Sequence, residues 1–208
     1  MSYSSGKKDW QGVFIHPKAV DRLKRCRHIL DVGCDIGRLR FLFPDAELIG
    51  IDIRAEMRIC LERGYKRFFA IDLDQGWIPD HVNDIYVDCV ILVDVLEHLH
   101  NPLFAMENIA KICAPGAFVY CCSPTKFNLK YWDDYTHVRP FSDNMTRRLL
   151  VDSGFTELEL LYIYQQPFIG FNKLFYAFLN STRMRAYLSD RYPFFRSKAY
   201  SICLGRRS

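Results

Sequence analysis

Ile29-Leu30-Asp31-Val32-Gly33-Cys34-Asp35-Ile36-Gly37 is an apolar run that ends in an acid and passes into a glycine-bearing turn. A second apolar run, Leu48-Ile49-Gly50-Ile51, ends in Asp52, twenty-one residues after Asp31. Such runs read as two buried parallel strands with acids at their carboxyl ends. Ligands of open α/β sheets bind just beyond those ends. Glycine lets the backbone turn sharply and approach a ligand closely. An acid about twenty residues further on is placed to accept ribose hydroxyls. The pair of runs therefore predicts a nucleoside pocket.

Charge and spacing narrow the nucleoside. A dinucleotide fold uses G-x-G-x-x-G, with a pyrophosphate seated on a helix N-terminus. Here Gly33 and Gly37 enclose Asp35, and Asp31 stands just before them. Two carboxylates in so short a turn repel a pyrophosphate. They suit S-adenosylmethionine (SAM), whose sulfonium and ammonium outweigh its single carboxylate. Arg54 is the one residue nearby that suits a 2′-phosphate.

The segment Asp31–Gly37 resembles the first motif of the class I SAM-dependent methyltransferases, an acid followed by three alternate glycines. The similarity continues through Ile71-Asp72-Leu73-Asp74, through Ile91-Leu92-Val93-Asp94-Val95-Leu96-Glu97-His98-Leu99, and into Thr136-His137-Val138-Arg139-Pro140-Phe141-Ser142. It covers residues 25–165, and the nearest subgroup is the small-molecule methyltransferases with an L-E-H segment after the fourth strand. The departure is Asp35, which replaces the middle glycine. Asp tolerates positive φ better than most residues, so the turn can survive.

The alternation of strand and helix patterns predicts one α/β domain, a doubly wound and mostly parallel sheet. Strands are expected at 28–32, 47–52, 67–71, 87–93, 117–122, 157–164 and 199–204. Helices are expected at 17–27, 55–63, 102–112 and 142–152, with a further one after Gly37 cut short by Pro44. The resemblance implies a seven-stranded Rossmann-like sheet of order 3-2-1-4-5-7-6 with the last strand antiparallel. The connection 166–198 carries Phe171, Leu174, Phe175, Phe178 and Leu179 on one helical face. It reads as a helical insertion covering the sheet or the acceptor pocket.

The chain has 208 residues, half of them hydrophobic and a quarter charged, as one ordinary globular domain has. It shows neither a signal peptide nor a membrane span, so a cytoplasmic protein is expected. The eight cysteines form no C-x-x-C pair and read as reduced thiols. The six histidines show no metal-ligand spacing, so no metal site is expected. Residues 171–208 hold eight Lys/Arg against one acid, together with nine aromatic residues. That tail suits an anionic acceptor or peripheral contact with a membrane.

Donor-side residues follow from the resemblance. Gly33 and Gly37 frame the methionine part and Asp52 takes the ribose, with Asp31, Asp35 and Ile53 also expected on the cofactor. Asp72 and Leu73 meet the adenine, and Val93 and Asp94 lie nearest the sulfonium. On the acceptor side, His98 and His137 are the candidate bases, since imidazole is the side chain suited to proton transfer near neutral pH. His98 would share a helix face with Asp94 if a helix starts there. The proline-rich motif of nucleic-acid amino-methyltransferases and the Pro-Cys of cytosine C5 enzymes are both absent after strand four. An oxygen, rather than a nitrogen, of a small or lipid-linked acceptor is therefore expected, and nucleic acid is not. The alternative is a SAM-binding or regulatory module that kept the fold without catalysis.

Overall fold

The computed structural model describes residues 15–53, 57–75, 87–165 and 197–208. Seven strands form one sheet: β1 (His28–Val32), β2 (Glu47–Asp52), β3 (Arg67–Ala70), β4 (Val87–Val93), β5 (Cys113–Pro124), β6 (Phe155–Gln165) and β7 (Ser197–Arg207). Their order is β3-β2-β1-β4-β5-β7-β6. The first five pair in parallel, and β7 runs antiparallel to both β5 and β6. Fold class and strand order are as the sequence led us to expect.

The strands of the centre are covered on both faces, which is why they read as nearly unbroken apolar runs. Successive side chains point to opposite faces. Leu30, Val32, Val90, Leu92, Val119 and Cys121 join one core with α3 (Pro102–Lys111) and α4 (Asp143–Asp152). Ile29, Cys89, Ile91, Tyr120 and Cys122 join the other, with α1 (Pro17–Leu23) and Cys60 of α2 (Met57–Glu62). All eight cysteines are free, in keeping with the reduced thiols expected.

Helix ends follow local chemistry. Asn101 accepts from the Phe104 amide at 3.2 Å and Pro102 opens α3. Ser142 caps α4 through the Met145 amide. Several elements are shorter than expected. After Gly37 there is only one 3-10 turn, Arg38–Phe41, and α1 stops at Leu23. After β4 there is a 3-10 turn, Leu96–His98, and no α-helix begins until Pro102. The condition under which Asp94 and His98 would share a helix face is thus not met, because Asp94 precedes that turn with φ +54°. The helical insertion expected over 166–198 lies outside the described residues up to 196, and Ser197 already opens β7. Among the described residues no helix is long and apolar enough to cross a membrane.

The chain leaves β1 toward β2 and β3 and later returns to β4 on the other side of β1. The topological switch therefore lies between β1 and β4, and a crevice opens there at their carboxyl ends. At the opposite end, the Asp88 carboxylate closes the start of β1, accepting from the Arg27 amide at 2.9 Å and the His28 amide at 3.0 Å. Asp88→Ala removes both acceptors and should lower stability by about 1–2 kcal/mol, read from denaturant unfolding, with Asp88→Asn losing less. An unchanged midpoint for the alanine variant would show that water replaces the carboxylate without loss.

Candidate active site

The turn after β1 is built from three residues in the left-handed region: Gly33 at φ +71°, Asp35 at +47° and Gly37 at +74°. The two glycines are needed for space as well. A Cβ on Gly33 would stand 2.5 Å from Val95 Cγ2, and one on Gly37 would stand 2.8 Å from the Tyr65 ring. Asp35 has room, since its carboxylate points outward to Arg38 at 2.6 Å and is more than half exposed. Its amide donates to Asp52 Oδ2 at 2.8 Å, tying the turn to the end of β2. The substitution of the middle glycine therefore preserves the backbone path.

Asp31 is buried, and the Tyr65 hydroxyl donates to its Oδ2. Burial raises the Asp31 carboxyl to about 7, opposed by that hydrogen bond and reinforced by the charges of Asp52 and Asp35. Room for Tyr65 comes from Gly50 in mid-strand, where a Cβ would stand 3.2 Å from the ring and 2.7 Å from Cys34 Sγ. Sequence reading missed Tyr65, and the glycine inside an apolar strand was its only signal.

A cleft of about 240 Å³ opens beside this turn, lined by Asp31, Gly33, Cys34, Asp35, Arg38, Leu39, Val93 and Asp94. Of the expected donor-side residues it gathers five. Gly37 lies behind it, against Tyr65 and Cys60. Asp52 stands at the end of β2, and Ile53 next to it is an exposed apolar side chain. The Ile71 amide donates to the Asp52 carbonyl at 3.0 Å, which brings the end of β3 alongside. Asp72 Oδ1 accepts from the Asp74 amide, and the Leu73 side chain is buried in the core. Cys34, Arg38 and Leu39 were not foreseen as lining residues.

Past Asp94, a second group converges. Glu97 is fully buried beside Asp94 and Ser123, and the three side chains face one another without a well-formed hydrogen bond among them. Burial, then the neighbouring Asp94 charge, pushes Glu97 upward in pKa. Asp94 is raised by burial too, against the pull of Glu97 and His137. The loop after the 3-10 turn Leu129–Asp133 is pinned on Glu97 by its Val138 amide, 2.8 Å from the Glu97 carbonyl. Arg139 Nη2 donates to the His100 carbonyl at 2.9 Å. This docking sets the His137 ring 4.6 Å from that of His98, between it and the stacked ring of Tyr131. Both candidate bases thus belong to one cluster.

The arrangement matches a known family. A profile described as "Methyltransferase domain" matches residues 14–160. No curated protein matches the chain by sequence. Solved structures do match: a SAM-dependent methyltransferase from Archaeoglobus fulgidus has a TM-score of 0.63 at 17% identity, covering 91% of this chain and 93% of its own. One from Mesorhizobium loti has a TM-score of 0.62 at 15% identity, over 95% and 100%. The N-methyltransferase NodS from Bradyrhizobium japonicum, solved with S-adenosyl-L-homocysteine, has a TM-score of 0.60 at 17% identity, over 91% and 84%. At such identities the structures carry the fold, and the profile carries the family. With that profile spanning most of its length, and with a left-handed turn and a pair of strand-end acids where a SAM site requires them, the chain belongs to the class I SAM-dependent methyltransferases.

Proposed function

We propose that this methyltransferase acts on an oxygen of a small-molecule or lipid-linked acceptor. The observation that carries the reading is the convergence of His98 and His137 just past Asp94, the last residue lining the donor cleft. SAM, when bound, supplies a methyl group on a sulfonium for in-line displacement. The residues fit such a group. Asp31, Asp35, Asp52 and Asp94 give the crevice negative charge, Arg38 offsets only part of it, and Asp94 Oδ1 makes no well-formed hydrogen bond. A cation with hydrogen-bond donors meets that need.

The chain's own residues mostly align and hold. Asp52, oriented by the Asp35 amide, would accept the ribose hydroxyls beside exposed Ile53, with Asp72 at the base. Asp31 would face the ammonium. On the acceptor side the Tyr131 carbonyl, 2.7 Å from His137 Nδ1, can only accept, so it keeps the proton on Nδ1 and the lone pair on Nε2. His137 is then placed to draw the proton from an acceptor hydroxyl. Trp132, Tyr135 and Phe127 are exposed on the same stretch of chain and give the acceptor an aromatic rim. The basic aromatic residues 171–208, most of them beyond the described residues, support an anionic or membrane-held acceptor.

Incubation with methyl-labelled SAM and cell extract should move label into a small-molecule or lipid fraction. Tight SAM binding with no transfer to any fraction would instead favour the non-catalytic reading. Asp52→Ala should weaken SAM binding by about 1–3 kcal/mol in calorimetry, since both ribose hydroxyls and the Asp35 amide lose their acceptor; unchanged affinity would refute the ribose assignment. Because ionised Asp31 favours a cationic ligand, SAM affinity should fall as pH drops through about 7. The sign for Tyr65→Phe follows: losing a hydrogen bond to the ionised form moves that midpoint upward. A pH-independent affinity would separate Asp31 from the ligand.

A further inference from the structure

Glu97, His98 and His137 present one carboxylate oxygen and one nitrogen from each ring within 4.8 Å of one another. Around an ion at ~2.1 Å from each ligand, neighbouring ligand atoms stand ~3–4 Å apart, so modest side-chain rotation closes the set. We infer that these three residues bind a single divalent transition-metal ion beside Asp94. This rests on the methyltransferase reading of the same site and, with the ion bound, replaces its histidine base.

Three features favour an ion over a plain hydrogen-bonded cluster. Glu97 is fully buried against Asp94 and Ser123, neither of which brings a positive charge, so its ionised form is an expensive condition without a cation. Each imidazole is oriented through its Nδ1, as ligating histidines are. For His137 the orienting group is the Tyr131 carbonyl. For His98 it is Thr136 Oγ1 at 3.0 Å. That hydroxyl gives its own proton to Asp134 Oδ1 at 2.6 Å, so it accepts from the ring. With Nδ1 protonated in each ring, the lone pair belongs to Nε2. Finally, Asp134 Oδ2 lies 3.9 Å from His137 Nε2 and adds a further negative charge.

The ligand set indicates the ion. Two imidazoles suit Zn²⁺, Fe²⁺ or Co²⁺ better than Mg²⁺, and a carboxylate widens the choice to Mn²⁺. Three protein ligands leave coordination positions open, as catalytic sites do. An acceptor hydroxyl in an open position has its pKa lowered, as bound water does. Its proton leaves to solvent. The oxygen forms the new bond to the methyl carbon while the carbon–sulfur bond breaks and sulfur keeps the electron pair. Acceptors with two adjacent oxygens, such as vicinal diols or hydroxy acids, fill two open positions and are the favoured class. The two histidines then act by holding the ion rather than by taking the proton themselves.

Metal-free, untagged full-length protein titrated with Co²⁺ should show one saturable site by calorimetry and visible absorption, displaced by Zn²⁺. X-ray absorption of the zinc-loaded protein should show two imidazoles. His98→Gln and His137→Gln should each lower Co²⁺ affinity at least ~10-fold, whereas His100→Gln, outside the cluster, should bind as the parent does. SAM affinity measured on the same samples reports an intact fold, and its retention in the two variants makes the Co²⁺ loss local. Parent protein that binds SAM but no Co²⁺, or zinc bound without imidazole, overturns the metal site and leaves the methyltransferase reading standing. Saturable Co²⁺ binding by protein that does not bind SAM overturns the donor-site reading instead.

Discussion

Repulsion among carboxylates is the constraint around which this molecule is arranged. Asp31, Asp35, Asp52, Asp94 and Glu97 all gather where β1, β2 and β4 end, and Asp31 and Glu97 are buried. Folding alone does not relieve the crowding. Asp35 is turned outward to Arg38, Asp52 receives one amide and Asp31 one hydroxyl. Asp94 and Glu97 are buried side by side, and burial raises the pKa of both. Buried charge of this kind costs stability unless something pairs with it. Its retention at a ligand crevice is what a site for cations looks like.

The fold was legible because its signals are local. Apolar runs of strand length, bounded by Gly33, Gly64 or Gly154, need no tertiary context to be recognised. The order of the strands came from resemblance, and the chain agrees with it. Errors fell where tertiary contact overrides local pattern. The spacing of Asp94 and His98 would put them on one helix face only if a helix began at Asp94, and none does. Leu96–His98 forms a single 3-10 turn instead, because Asp94 adopts φ +54° and its amide stays bonded to the Cys122 carbonyl of β5. The donor-side acids were visible as strand-end residues. Tyr65 was not, because its role depends on a gap left by Gly50, one strand away from Asp31.

The acceptor side shows the same limit more sharply. Sequence spacing offered no metal set, since Glu97 and His98 are adjacent and His137 lies in a loop beyond β5. Only docking brings them together. The amides of Val138 and Arg139 both donate to the Glu97 carbonyl, and Asp74 holds the His100 and Asn101 amides at 3.0 and 2.8 Å. The backbone of Glu97 thus anchors the loop that carries His137, while its side chain supplies the buried charge. A residue that performs both tasks cannot be recognised from either neighbour alone.

That double role also explains why the cluster is built on irregular chain. A regular helix after β4 would direct residues 94 and 98 along one face and satisfy its backbone internally. The 3-10 turn instead leaves the Glu97 carbonyl free to receive the incoming loop, and the turn's shortness keeps His98 close to Asp94. The sheet supplies a rigid edge, and two short irregular segments carry Glu97, His98 and His137. Asp31, Asp52 and Asp94 sit on or beside strand ends whose positions the sheet dictates, whereas His98 and His137 sit on segments whose geometry depends on a few backbone hydrogen bonds. The proposed acceptor residues can accordingly vary in this architecture while the sheet keeps the strand-end acids in place.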